Sequence, residues 1–226
     1  RLVGRLRGSV LLFGPLLARM GHARLAPPGG DFPARRTISV HLQALRALGA
    51  RDVSDDCYEL EAPKGLHPAS IYLEEASVTG TETALLTAAA VEGTTEIRHA
   101  ACEPHVSELC EFLRSMGVGI EGEGTPFIRV SGRKGLGGAS HRLQGDYVEA
   151  GSWAVLSAVT GGQIEIKGVC ARDLEPITSV LLRMNVNCTV KGDRLAVSPS
   201  ELDAIPRVTT APWPGFPSDM VSLVSV

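Results

Sequence analysis

The chain has 226 residues, enough for one large domain or two smaller ones. Its residues are 44% hydrophobic and 21% charged, an ordinary balance for a globular core under a polar surface. A net charge of -3 offers no basic stripe for nucleic acid, and 4% aromatic residues offer no stacking platform for single strands.

In chain order, Arg1, Arg5 and Arg7 precede an apolar stretch, Val10 to Ala18, that imitates a secretory signal. Gly14-Pro15 interrupts it and Arg19 follows with no small-residue cleavage site, so the stretch reads as a core helix. No segment approaches the roughly 20 apolar residues of a membrane helix, and no membrane partner is expected. The chain opens without methionine and stops at Val226 inside an apolar run, which reads as part of a longer protein. Cys57, Cys102, Cys110, Cys170 and Cys188 form no CxxC pair and leave an odd count. They read as reduced, mostly buried thiols of a cytoplasmic protein.

PPGGDFPARR (Pro27 to Arg36) is a Pro/Gly loop whose backbone can approach a ligand closely, and it carries Asp31, Arg35 and Arg36. A solvated turn is the plain alternative. Beyond it, HLQALRALGARDV (His41 to Val53), ELCEFLRSMGVGI (Glu108 to Ile120) and ITSVLLRMNVNCTV (Ile177 to Val190) share one pattern. Each is an amphipathic helix, a stop and a strand. The stops Gly49, Gly117 and Asn185 fall 68 residues apart. AAAVEGTTEI and SAVTGGQIEI keep the same period, with Val91 over Val159. Gly and Asn tolerate the left-handed conformation that ends a helix. The spacing therefore predicts repeated units of roughly βαβαββ, packed around a shared core, with breaks around Ala62-Pro63, Ser131 to Ala139, and Pro206 to Pro217.

SVTGTET (Ser77 to Thr83) precedes a helix running to Ala90, and at a helix N-terminus backbone N–H groups suit a phosphate. Thr79 and Glu82 also stand in capping-box spacing. GVGIEG (Gly117 to Gly122) matches GxGxxG but follows a helix and opens a strand, the reverse of a dinucleotide site. The six histidines show no metal spacing, so no metal site is expected. APWPGFPSDM (Ala211 to Met220) is a rigid Pro loop ending in Asp219, which reads either as a helix N-cap or as a well-held catalytic base.

Six stretches in order, RGSVLLFGPLLARMG, PPGGD followed ten residues later by His41, SVTGTET, AAAVEGTTEI, GDYVEAGSW and TAPWPGFPSDM, resemble the enolpyruvyl transferase family across all 226 residues. The likeness is greatest to the branch whose acceptor is UDP-N-acetylglucosamine. It implies an α/β (α+β) fold of βαβαββ units in an inside-out α/β barrel arrangement, two domains, with the active site in the cleft. Residues 1–143 would be the later part of the first domain and residues 144–226 the opening of the second. A catalytic-site lysine before this chain and a phosphate-binding arginine after it would complete the family's site.

The resemblance also implies a reaction, the first committed step of peptidoglycan synthesis. The sugar 3′-hydroxyl adds to phosphoenolpyruvate while its C3 is protonated, and the adduct then loses phosphate. Asp219 matches the family's base. Asp31 occupies the loop position where many members carry cysteine and some aspartate, and acts as general acid if its carboxyl keeps a proton. Arg7 and Arg36 match the arginines that hold phosphoenolpyruvate. Thr37, Ile38, Ser39 and Val40, with Ser77, Val78 and Thr79, match the nucleotide-sugar segments. No cofactor is implied, and the enzyme would be a cytoplasmic monomer acting on two small molecules.

Three positions depart from the family. Ser39 stands for an aspartate, Glu75 for a lysine at the diphosphate, and Tyr147 for an arginine; Arg35 could compensate for Glu75. A different acceptor, or an inactive nucleotide-sugar-binding module, are the alternative readings. Aspartate at position 31 predicts resistance to fosfomycin, an epoxide that alkylates the family's cysteine thiolate. An assembled full-length enzyme should retain activity after incubation with it; irreversible inactivation with label on the loop would overturn the alignment.

Overall fold

The 68-residue period is a repeated way of ending a helix. The computed structural model describes residues 2–27, 29, 37–54 and 58–226. Two 3-10 turns, Val3–Arg5 and Arg7–Leu12, lead into α1 (Phe13–Met20), β1 (His22–Leu25), α2 (Ser39–Ala47), β2 (Arg51–Ser54) and β3 (Tyr58–Glu61). The second repeat is β4 (Ser70–Tyr72), α3 (Val78–Ala89), β5 (Gly93–Arg98), α4 (Pro104–Ser115), β6 (Gly119–Glu121) and β7 (Phe127–Gly132). The third is α5 (Tyr147–Val159), β8 (Ile164–Lys167), α6 (Ala171–Arg183), β9 (Asn187–Lys191) and β10 (Arg194–Ser198). A 3-10 turn, Ser218–Met220, and the short α7 (Val221–Val224) follow. The second repeat is the full βαβαββ unit, while the described residues of the first and third show its αβαββ part.

Gly49, Gly117 and Asn185 have φ of 104°, 97° and 61°. Each stop donates its N–H three residues back, to Arg46, Arg114 and Leu182. The next residue donates five back: Ala50 to Leu45, Val118 to Leu113, and Val186 to Leu181. These paired bonds satisfy the last helix carbonyls, and the two residues joined by the longer bond are buried in every copy.

The sheets repeat the same order. In β1-β3-β2 and β8-β10-β9 the central strand is antiparallel to both neighbours. In β4-β5-β7-β6 the added strand β4 runs parallel to β5. Along β7, Ile128 and Val130 point into the core and Phe127, Arg129 and Ser131 outward, the alternation of a sheet covered on one face.

The chain divides into two compact units, Arg1–His141 and Arg142–Val226. In the first, α3 lies inside and the sheets lie outside. Gly80, Thr81, Thr83, Ala84, Leu85, Thr87, Ala88 and Ala89 of α3 are all buried, as expected of a helix packed on nearly every side. α1 crosses it where Gly14 meets Thr87 so closely that no side chain would fit at position 14. In the second unit, α5 and α6 pack on one face of β8-β10-β9 through Ala150, Ala154, Leu174, Ile177 and Leu195. Trp153 on α5 is 47% exposed and Leu156 is 49%, whereas their counterparts one period earlier, Leu85 and Ala88, are 0% and 1% exposed.

Some sequence expectations shift. The N-terminal stretch is a core element, with Val10, Phe13 and Leu17 buried, but its first part winds as a 3-10 turn. Pro15 falls in the first turn of α1, where its missing N–H leaves no helix bond broken. The break expected from Ser131 starts later, because Ser131 and Gly132 stay in β7 opposite Thr94 and Gly93. Cys102, Cys110, Cys170 and Cys188 are free thiols, and Cys57 lies outside the described residues. Burial pushes the Cys110 thiol up to about 12. Among the described residues no helix is long and apolar enough to cross a membrane.

The helix stops give a test. Gly117→Ala should cost about 1 to 2 kcal/mol of unfolding free energy, through positive φ alone, because its Cβ would meet only the movable Arg133 guanidinium. Gly49→Ala should cost more, since its Cβ would lie 2.9 Å from the His67 ring. Urea denaturation of both variants checks the order; losses too small to measure would refute the role of these stops.

Candidate active site

The first unit brings two helix N-termini together. α2 begins after Ile38 and α3 after Ser77, and the two helices touch where Val40 meets Gly80. A Cβ on Gly80 would lie 2.8 Å from the Val40 Cγ1, so glycine is what allows this approach. Beside that contact His41 Nε2 lies 2.9 Å from Thr79 Oγ1.

Each N-terminus is only partly capped by its own side chains. The Ser77 hydroxyl accepts the Gly80 N–H at 3.2 Å. Thr37 Oγ1 lies 2.7 Å from Ser39 Oγ and accepts the Ser39 N–H at 3.4 Å. Among the described residues the N–H groups of Val40, His41, Val78 and Thr79 find no acceptor. Unmatched N–H groups at aligned helix dipoles favour an anion. Arg7 adds a positive charge close enough to be felt at His41.

Loop 74–77 is tied to the same place. The Glu74 N–H donates to Gln43 Oε1 of α2 at 3.3 Å, and the Ser77 N–H to the Glu75 carbonyl at 2.7 Å. The Glu75 side chain is exposed, two residues before the N-cap. Its charge is set against any anion at the two N-termini, the departure noted from sequence. Gly29, at the start of the PPGGD loop, lies against Gly4 and Arg5, next to the turn that carries Arg7.

His41 is 2% exposed. Loss of hydration lowers its pKa to about 4, helped by the Arg7 charge and opposed by the Ile38 carbonyl. The ring is neutral near pH 7, and among the described residues no well-formed hydrogen bond reaches its Nδ1. One turn past Thr79 on α3, Glu82 is half-buried, and loss of hydration holds its carboxyl up at about 7.

In the second unit, Asp219 is exposed on the turn Ser218–Met220. The expected N-cap is not made: Pro217 stands at the cap and no side chain bonds there. Met220, fully buried beneath α5 beside Gly151, and buried Phe216 hold the turn. Tyr147, first residue of α5, packs edge-on against Trp213 with centroids 5.5 Å apart.

Of the residues singled out in the sequence, Arg7, Thr37, Ile38, Ser39, Val40, Ser77, Val78 and Thr79 gather around one pair of helix ends. Asp219 and Tyr147 sit in the second unit, and Asp31, Arg35 and Arg36 lie outside the described residues. The cap of α3 is Ser77 rather than the Thr79–Glu82 box, because the helix starts two residues before Thr79 could cap it. His41 and Glu82 are the additions; a histidine on the apolar stripe of α2 was the available signal.

A fold of repeated βαβαββ units, with anion-receptive helix ends in its first unit, defines an enolpyruvyl-transferase-like protein. The family model for EPSP synthase (3-phosphoshikimate 1-carboxyvinyltransferase) matches residues 1–226, and the chain belongs to that family. The UDP-N-acetylglucosamine 1-carboxyvinyltransferase of Treponema denticola is 42% identical over 100% of this chain and 54% of its own length. That of Bradyrhizobium diazoefficiens is 41% identical over 98% of this chain and 53% of its own. The crystal structure of the enolpyruvyl transferase NikO from Streptomyces tendae superposes with a TM-score of 0.83 at 26% identity, covering 99% of this chain and 54% of that one. The chain thus spans about half the length of the curated relatives it matches.

The two titrating groups pull stability in opposite directions. His41 binds its proton near 6.5 when unfolded and near 4 when folded, so its contribution is complete above pH 6.5 and lost as pH falls toward 4. Glu82 has a folded value of about 7 against 4.5, so its penalty is absent below pH 4.5 and grows as pH rises to 7. Glu82→Gln should therefore stabilise by about 2 to 3 kcal/mol at pH 8 and by nothing near pH 4. Urea titrations at both pH values check this, and equal shifts at the two would rule out desolvation as the cause.

Proposed function

We propose that the protein carrying this chain transfers the enolpyruvyl group of phosphoenolpyruvate to the 3′-hydroxyl of UDP-N-acetylglucosamine and releases phosphate. That reaction is the first committed step of peptidoglycan synthesis, and we place it in the cytoplasm, carried out by a monomer. The observation that carries the reading is the meeting of the α2 and α3 N-termini beside Arg7. Four unmatched N–H groups suit the charged end of a nucleotide sugar, and the Arg7 guanidinium beside them suits phosphoenolpyruvate. The names of the relatives that match the whole chain at 42% and 41% identity point to the same acceptor.

In this reading the sugar oxygen bonds to C2 of phosphoenolpyruvate as Asp219 takes the hydroxyl proton and Asp31 delivers a proton to C3. The C2–O bond to phosphate then breaks and C3 gives up a proton, so the enolpyruvyl ether forms and phosphate leaves. Asp219 suits the base because it is exposed to solvent on a turn that buried Met220 and Phe216 keep rigid. Thr37, Ile38, Ser39, Val40, Ser77, Val78 and Thr79 bind the nucleotide sugar, Thr79 through its backbone N–H alone because its hydroxyl is bonded to His41, and Arg7 with Arg36 holds phosphoenolpyruvate. The roles of Asp31 and Arg36 rest on the sequence resemblance.

Phosphate release by the full-length protein tests this directly. Release should require both phosphoenolpyruvate and UDP-N-acetylglucosamine, and Asp219→Asn should lower kcat by about 10²- to 10⁴-fold with little change in either KM. Release with another alcohol in place of the nucleotide sugar would overturn the acceptor, and an unaffected Asp219→Asn would overturn the base.

A further inference from the structure

We propose that His41 and Thr79 act as a positioning pair, a buried brace that sets the spacing of the two helix N-termini receiving the acceptor's diphosphate. The inference rests on the proposed nucleotide-sugar reading of that site. Neither residue lies in a cap, since Ile38 and Ser77 hold those places. Their 2.9 Å bond joins residues 38 apart in sequence, and two of the four unmatched N–H groups are the backbone N–H groups of these same residues.

Three features make the pair more than packing. His41 is 2% exposed, so its ring cannot trade Thr79 for water. Leaving its Nε2 without a partner would strand a buried polar atom, which costs more than the bond itself gains. The ring is neutral, so it adds no charge to the site and serves only through geometry. The contact at Val40 and Gly80 brings the helices together but, being apolar, does not fix their rotation or their offset along the axis. A directed hydrogen bond at the ends does both. Elsewhere on α3, the Thr81 and Thr87 hydroxyls donate to carbonyls one turn back in their own helix, to Ser77 at 2.8 Å and Thr83 at 2.6 Å. Thr79 instead reaches across to α2.

A phosphate chain gripped by two helix ends is sensitive to their separation, because each N–H–oxygen bond weakens within a few tenths of an ångström. Loosening the brace should therefore raise the dissociation constant for the nucleotide sugar and leave the phosphoenolpyruvate end alone. The test uses the full-length protein with Thr79→Val, Thr79→Ser and, as a control for disturbance of α3, Thr83→Val. Thr83 is buried on the same helix, and among the described residues its hydroxyl has no hydrogen-bond partner.

Calorimetry with UDP-N-acetylglucosamine should show about ten-fold weaker binding for Thr79→Val, recovered to within about three-fold by Thr79→Ser. Thr83→Val should bind as the parent does. In turnover, Thr79→Val should raise KM for the sugar by the same factor, with kcat and KM for phosphoenolpyruvate unchanged. Parent-like binding by Thr79→Val, or equal weakening by Thr83→Val, would overturn the brace. Inorganic pyrophosphate separates the two claims. If the parent binds pyrophosphate with the same Thr79 dependence but ignores the nucleotide sugar, the acceptor reading falls and the brace stands. If it binds neither, both fall.

Discussion

A helix buried on nearly all its sides has to be thin, and α3 governs the first unit for that reason. Gly80, Ala84, Ala88 and Ala89 keep it narrow enough for α1 and α2 to lie directly on it. Its buried hydroxyls are largely answered within reach. Thr81 donates to the Ser77 carbonyl and accepts the Ala101 N–H at 2.9 Å, so one side chain ties the helix to the loop that leads into α4. Widening α3 at position 80 would push α2 away and separate the two N-termini. Core packing and the anion-receptive ends are thus one constraint, since the same glycine serves both.

The electrostatics of that end are built mainly from backbone. Helix dipoles and free N–H groups supply the positive potential, with Arg7 as a side-chain charge close by. His41 contributes none because burial keeps it neutral. Glu75, exposed beside the N-cap of α3, works against an anion, and it stands where the family resemblance calls for a lysine. A site that relies on fixed dipoles depends less on any one side chain and more on the placement of its helices.

Features whose physics is local were readable from the sequence. Gly49, Gly117 and Asn185 could be found by eye because few residues accept a positive φ, and all three end helices as expected. The inversion of GVGIEG, helix before strand, was equally plain and appears as α4 followed by β6. Choices between neighbouring hydroxyls were not readable. Ser77 and Thr79 both suit a cap, and α3 starts after Ser77, in a loop whose Glu74 N–H is held by Gln43, 31 residues away. Asp219 looked like a cap but is not one, because the turn is placed by the burial of Met220. The His41–Thr79 bond depends on how two helices cross, which no short window of sequence contains.

Both tryptophans of the chain, Trp153 and Trp213, belong to the second unit, while the first holds only Tyr58 and Tyr72 among its larger phenol and indole chromophores. Excitation near the red edge of protein absorption would therefore see one half of the molecule. Trp153 lies half open to solvent and Trp213 against Tyr147, so the two differ in surroundings as well. Emission would follow the unfolding of the second unit, and far-ultraviolet dichroism would follow both. A gap between the two curves would measure how far the halves melt independently, with no added label.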